Sequence, residues 1–165
     1  LTALGAGQVT SDQRFDGSTA YVIDSFQGNR EITGSQLDAM RNGSFPTPLL
    51  NYKETGVAAE LTGREPVEGQ EAYVIRLTPK TGPPVRVFID AGTFMLVKTA
   101  TVLNVPQIGE IEQVMEFADF RDVDGIKVPF RTRSSNATQS RTATVTEVKH
   151  NVDIDDGLFR RAEGQ

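Results

Sequence analysis

The sequence predicts a mainly β, α+β domain: a curved antiparallel sheet, or unclosed β-barrel, of roughly eight to ten strands with a short helix packed on its concave side. Three observations carry this. Asp124-Gly125 is a two-residue hairpin turn, because both central positions of a type I′ turn need positive φ, which glycine adopts freely and aspartate tolerates. Side chains alternate between the two faces of the flanking arms. No interval between successive β-patterned runs is long enough for the crossover helix of a parallel sheet.

The central hairpin sets the two faces. One carries Ile111, Met115, Phe117 and Val123 on the way in, and Ile126, Val128 and Phe130 on the way out. The other carries Glu110, Glu112, Glu116, Lys127, Arg131 and Arg133. An apolar face and a charged face on both arms make a two-sided sheet.

The remaining elements follow in order. Gln8–Phe15 reads as a short polar strand ending in the turn Asp16-Gly17, and Thr19–Ser25 as a strand rich in β-formers. Gln27-Gly28-Asn29 is a turn. Thr33–Arg41 is the clearest helix, with Thr33 or Ser35 as N-cap and an apolar stripe of Leu37, Ala39 and Met40. Asn42-Gly43 is expected to end it in a left-handed cap, and Pro46 and Pro48 to bar its continuation. So short a helix needs something to pack on, and one side of the sheet is the expected partner.

From Tyr52 the chain reads as a meander. Val57–Thr62, Glu71–Thr78, Val85–Asp90 and Phe94–Leu103 are strands, separated by turn-forming stretches at Glu65–Gln70, Pro79–Pro84 and Asp90–Thr93. Tyr73, Ile75 and Leu77 share one face. Pro106 breaks the run before the strand Glu110–Phe120. After the hairpin come a polar loop, Ser134–Ser140, a Thr-rich strand, Arg141–Lys149, and one helical turn at Asp155–Phe159. Pro129 cannot donate to a ladder, so its outward side needs an edge, a bulge or a gap.

Composition bounds the function. A chain of 165 residues, 38% hydrophobic and 24% charged, suits one globular domain spanning 1–165. With no cysteine, a disulfide scaffold, a zinc–thiolate site and thiol catalysis are excluded. A net charge of −5 argues against nucleic-acid binding, which draws on a cationic surface. Arg131, Arg133 and Arg141 are the best basic patch, and read as a solvated strand face. No apolar run approaches the roughly 18 residues of a membrane span. The opening Leu1-Thr2-Ala3-Leu4-Gly5-Ala6-Gly7 has neither the basic flank nor the apolar core of a signal peptide.

No catalytic or metal constellation stands out. A Ser-His-Asp arrangement would have to use His150, the single histidine, and no Gly-x-Ser-x-Gly elbow occurs. Asn151-Val152-Asp153-Ile154-Asp155-Asp156-Gly157 has the alternating oxygens of a calcium loop, but its glycine and the following Glu163 fall one position late, so it reads as a polar turn. Glu110, Glu112 and Glu116 share the wet face, where nothing would shift their pKa values into acid–base range. The apolar face remains. It is either a plain core or, if the sheet curves and one helix leaves it unfilled, a cavity for an acyl chain. Ile111, Met115, Phe117, Ile126, Val128 and Phe130 are its candidate lining.

Three stretches then resemble one family. Val87-Phe-Ile-Asp-Ala-Gly-Thr-Phe-Met-Leu-Val-Lys98, Phe117-Ala-Asp-Phe-Arg-Asp-Val-Asp-Gly-Ile-Lys-Val-Pro-Phe130 and Asn151-Val-Asp-Ile-Asp-Asp-Gly-Leu-Phe159 are similar, in order and spacing, to the LolA/LolB-like proteins that sort bacterial outer-membrane lipoproteins. The resemblance runs from about Asp16 to Phe159. It implies an unclosed barrel with helices in its hollow, and a periplasmic or exported carrier that holds the acyl chains of a lipid or lipidated protein. It implies no enzymatic activity and no cofactor. The family's N-terminal helix and first strands have no counterpart before Asp16, so the chain is expected to lack them. Similar domains also accompany periplasmic peptidases. The alternative is therefore an accessory protein-interaction module of a larger envelope protein, with no small-molecule ligand.

Overall fold

The computed structural model describes residues 10–25, 28–44, 48–105 and 109–159. The expected turn or breaker residues Gln27, Pro46 and Pro106, together with residues 1–9 and Glu163, lie outside them. The chain forms two compact units, Leu1–Phe45 with Asp153–Gln165, and Pro46–Val152.

In the first unit, strands β1 (Ser11–Phe15), β2 (Ala20–Asp24) and β3 (Arg30–Ile32) form an antiparallel sheet. The β1–β2 turn is built by Asp16, whose carboxylate accepts the N–H groups of Ser18 and Thr19 at 2.8 and 2.7 Å and both of their hydroxyls. Helix α1 (Gly34–Gly43) is the helix expected from Thr33 onward; Thr33 occupies the N-cap position in extended conformation, but its side chain makes no capping hydrogen bond. Its Leu37 and Met40 pack on buried Ala20, Val22 and Ile32 of the three-stranded sheet. The expected left-handed cap at Asn42-Gly43 does not form: Gly43 continues the helix, and Ser44 closes it by donating its N–H and hydroxyl to the Arg41 carbonyl. A 3₁₀ turn follows much later, at Asp156–Phe159.

The second unit opens with helix α2 (Pro48–Thr55), bent at Asn51. Pro48 was expected only to bar continuation of α1, which does end before it; at the first helical position its missing N–H costs nothing, so it also starts a second helix that was not expected. Seven strands follow: β4 (Ala58–Val67), β5 (Gln70–Thr78), β6 (Val85–Asp90), β7 (Leu96–Val105), β8 (Gly109–Val123), β9 (Ile126–Ser135) and β10 (Ser140–Thr144). Each pairs antiparallel with its sequence neighbour, giving one open sheet with β4 and β10 at its edges. The fold class is therefore that expected, mostly antiparallel β, curved and not closed, with few short helices, except that the helix expected on the concave side, α1, packs instead on the separate three-stranded sheet.

The central hairpin forms as predicted. Asp124 and Gly125 both have positive φ, 53° and 83°, and Asp122 accepts the Gly125 N–H at 2.9 Å. That hydrogen bond, helped by Lys127, holds the Asp122 carboxyl below its ordinary pKa. Pro129 pairs with Phe120 beyond the last β10 pair, Thr144 with Arg131, so its outward side meets the gap it requires.

Register partners point to the same side of a sheet, so the ladders define rows. Leu61, Ile75, Val87, Thr99, Met115 and Ser134 form one row across β4 to β9. Val74, Phe88, Lys98, Glu116 and Arg133 form a row on the opposite face. That second face holds the tightest core, Ala72, Val74, Phe88 and Ala100, with Phe88 fully buried beneath Arg86 and Lys98. At one end the sheet curls toward it. Glu68, in the β4–β5 turn, lines a cavity of about 360 Å³ with Glu116, Ala118, Arg131, Arg133 and Thr142. In a flat sheet β5 and β9 would lie about 19 Å apart.

Candidate functional site

Helix α2 covers the first row's face at its β4–β6 end. Gly56 makes the tight turn from α2 into β4: its φ is +70°, and a Cβ there would stand 2.8 Å from the Lys80 side chain. The Val57 N–H donates to the Tyr52 carbonyl at 3.0 Å, folding the helix back on the strand. Leu49 and Tyr52 then pack toward Val57, Leu77 and Val87. The fit is incomplete. Leu49, Tyr52, Ala59, Leu61, Tyr73, Ile75, Leu77, Ile89 and Phe94 line an open pocket of about 400 Å³, with no charged side chain in its wall. Leu61 and Phe94 are 63% and 71% exposed. Phe94 holds a positive φ of 59°, unusual for an aromatic residue. It is set there by the β6–β7 turn, where Asp90 accepts the N–H groups of Gly92 and Thr93 and the Thr93 hydroxyl. The Thr93 hydrogen bonds lead in holding the Asp90 carboxyl below its ordinary range.

A β-bulge shapes one rim. The β4–β5 register runs Leu61 to Ile75 and then Gly63 to Val74, leaving Thr62 unpaired in the ladder, with its hydroxyl donated to the Val74 carbonyl. Residues 61 and 64 would point to opposite faces of a regular strand. The extra residue puts both Leu61 and Arg64, which pairs with Tyr73, on the pocket side. The Arg64 guanidinium lies 4.6 Å from the Tyr73 ring centroid, and its N–H groups donate to the Tyr73 hydroxyl and to Glu71, each at 3.1 Å. Lys53 lies 5.8 Å from the Tyr52 ring centroid.

The six residues expected from the sequence lie on β8 and β9, and none lines this pocket. Met115 does share the pocket's row through Thr99 and Val87. Met115 and Ile126 are exposed, Ile111, Phe117 and Val128 are half-buried, and Phe130 is buried. The charged residues fall on the other face, where Glu112 pairs with Arg86 and Glu116 with Arg133. His150 hydrogen-bonds Asp124 at 3.0 Å. Asp155 accepts the Gly157 N–H, as a polar turn does, and no metal-binding cluster of carboxylates or histidine occurs among the described residues. No helix among them is long and apolar enough to cross a membrane. Sequence reasoning placed Tyr73, Ile75 and Leu77 on one face but missed Leu49, Tyr52, Ala59, Leu61, Ile89 and Phe94 as their partners. Gly63 inside a strand pattern was the available signal for the bulge.

Residues 51–163 match the model of a family described as "Uncharacterized protein". A crystal structure of a LolA superfamily protein from Nitrosomonas europaea is similar at a TM-score of 0.48 and 16% identity, over 87% of this chain and 70% of that one. No curated protein matches the chain.

Proposed function

The chain belongs to the family whose model spans residues 51–163, and on that premise we propose that it is a non-enzymatic binding module of the periplasm or exported envelope space, which holds an acyl chain of a lipid or lipidated protein. The carrying observation is the open apolar pocket of about 400 Å³ between α2 and β4–β6. Its size falls in the range of small-ligand sites. Burying each methylene there is worth about 0.8 kcal/mol before losses. A longer chain would continue along the same face toward Met115, Phe117 and Ile126, with Ile111, Val128 and Phe130 as supporting wall. The envelope assignment rests on the resemblance of Val87–Lys98, Phe117–Phe130 and Asn151–Phe159 to lipoprotein-sorting proteins.

Titration with a fluorescent long-chain fatty-acid analogue tests the reading. Saturable binding is expected, displaced by unlabelled acyl chain and lost in Leu61→Asp. Leu61 is largely exposed, so that variant keeps its fold. Absence of saturable binding to the unaltered protein overturns the proposal.

A second reading rests on β4, which among the described residues is an edge strand of the sheet. A partner strand could add there, as in an interaction module. Binding of the acyl probe favours the first reading.

A further inference from the structure

We infer that the pocket takes amphiphiles carrying an anionic head group, a carboxylate or a phosphate, seated on Arg64. This rests on the acyl-binding reading above and specifies its ligand. Three observations meet at the rim. The β4 bulge turns Arg64 to the pocket side, beside the wall residues Leu61 and Tyr73. Both tyrosines of the wall carry a cation over the ring, Arg64 on Tyr73 and Lys53 on Tyr52. The Tyr73 hydroxyl accepts a hydrogen bond from Arg64, which leaves its own O–H to donate to a bound oxyanion.

The counter-ion already present does not block the site. Glu71 pairs with Arg64 at 3.1 Å, but both side chains are more than half exposed. An exposed pair of this kind is weak. A head group can therefore take Glu71's place on the guanidinium, whose fork suits two oxygens at once. The tail then enters past Leu61 and Tyr73 into a wall without charge. An uncharged head gains only the tail's burial.

Displacement of the fluorescent analogue by palmitate, 1-palmitoyl lysophosphatidate and hexadecanol tests this, with unaltered protein, Arg64→Met and Glu71→Gln. At least one of the two anions should bind roughly tenfold more tightly than hexadecanol. The stronger of the two names the head group. Arg64→Met should close that gap by weakening the anions far more than hexadecanol, and Glu71→Gln should widen it. Equal binding of all three ligands, unaffected by Arg64→Met, overturns the head-group assignment and leaves the acyl pocket standing. Failure of every ligand, hexadecanol included, overturns both.

Discussion

Arg121 lies over the ring of Phe130, 4.4 Å from its centroid, while Asp119 grips the same guanidinium through hydrogen bonds of 3.1 and 2.7 Å. Asp119 has a positive φ of 55° inside β8, between the paired residues Ala118 and Phe120. The hydrogen bonds from Arg121, helped by its charge, hold the Asp119 carboxyl below the ordinary range. A charged lid thus buries an aromatic ring to 6% exposure near the tip of the long β8–β9 hairpin. Removing the ring deletes both core volume and the lid's seat. Phe130→Ala should cost about 3 kcal/mol in urea unfolding. Arg121→Ala should cost about 1 kcal/mol, the scale of one exposed cation–π contact.

Gly63 tests the bulge on which the rim depends. Its φ is +149°, and a Cβ there would meet nothing within 4 Å. The expected cost of Gly63→Ala is therefore backbone strain alone, about 1–2 kcal/mol. If β4 escapes that strain by expelling the bulge, Arg64 turns to the far face. Preference for an anionic over an uncharged amphiphile should then fall in parallel with Arg64→Met. Unchanged stability and unchanged preference together would show that the bulge is not what aims Arg64.

Asp16 predicts the acid response of the first unit. The N–H of Thr19, then that of Ser18 and both hydroxyls, push its pKa far below the ordinary aspartate range. A folded pKa below the unfolded one gives stability that is complete above the unfolded value, about 3.9, and is lost as pH falls through the folded value. Asp16→Ala should lower stability at neutral pH. It should also flatten the decline in stability that unaltered protein shows below about pH 4. Urea unfolding measured from about pH 6 to about pH 2 reads both effects. A variant with the same slope as the unaltered protein would remove Asp16 from the account.

What the sequence revealed depended on how local the determining interactions are. The β8–β9 hairpin was legible because turn chemistry at Asp124-Gly125 and alternation on both arms point to one register. Strand β6 kept its expected bounds, Val85–Asp90, for the same reason. Helix α2 was missed because Pro48 is both a stop signal for one helix and a good first residue for the next. Strand β4 was expected to end at Thr62, but it runs to Val67. On an edge strand Gly63 can form a bulge and Pro66 needs no second partner, so neither breaks it. Strand β3, only Arg30–Ile32, is too short to show a period. The pocket was least legible. Its wall is drawn from α2, three strands and the β6–β7 turn, and its rim cation is aimed by one unpaired residue. Alternation within a single strand carries none of that.

Phe94 offers the sharpest separation of stability from binding. It is 71% exposed at the pocket and held at a positive φ of 59°. An exposed aromatic ring gains little from burial, while its backbone conformation costs about 1–2 kcal/mol. Glycine relieves that strain but adds freedom to the unfolded chain, and the two effects offset. Phe94→Gly should therefore shift stability by less than about 1 kcal/mol. Binding of the acyl probe should weaken severalfold, because the variant deletes one wall of the pocket. Phe94→Leu keeps an apolar side chain at the same strained φ, and should retain most of the binding. If Phe94→Gly binds the probe as tightly as the unaltered protein, the ring is no part of the ligand wall, and its strain has another origin.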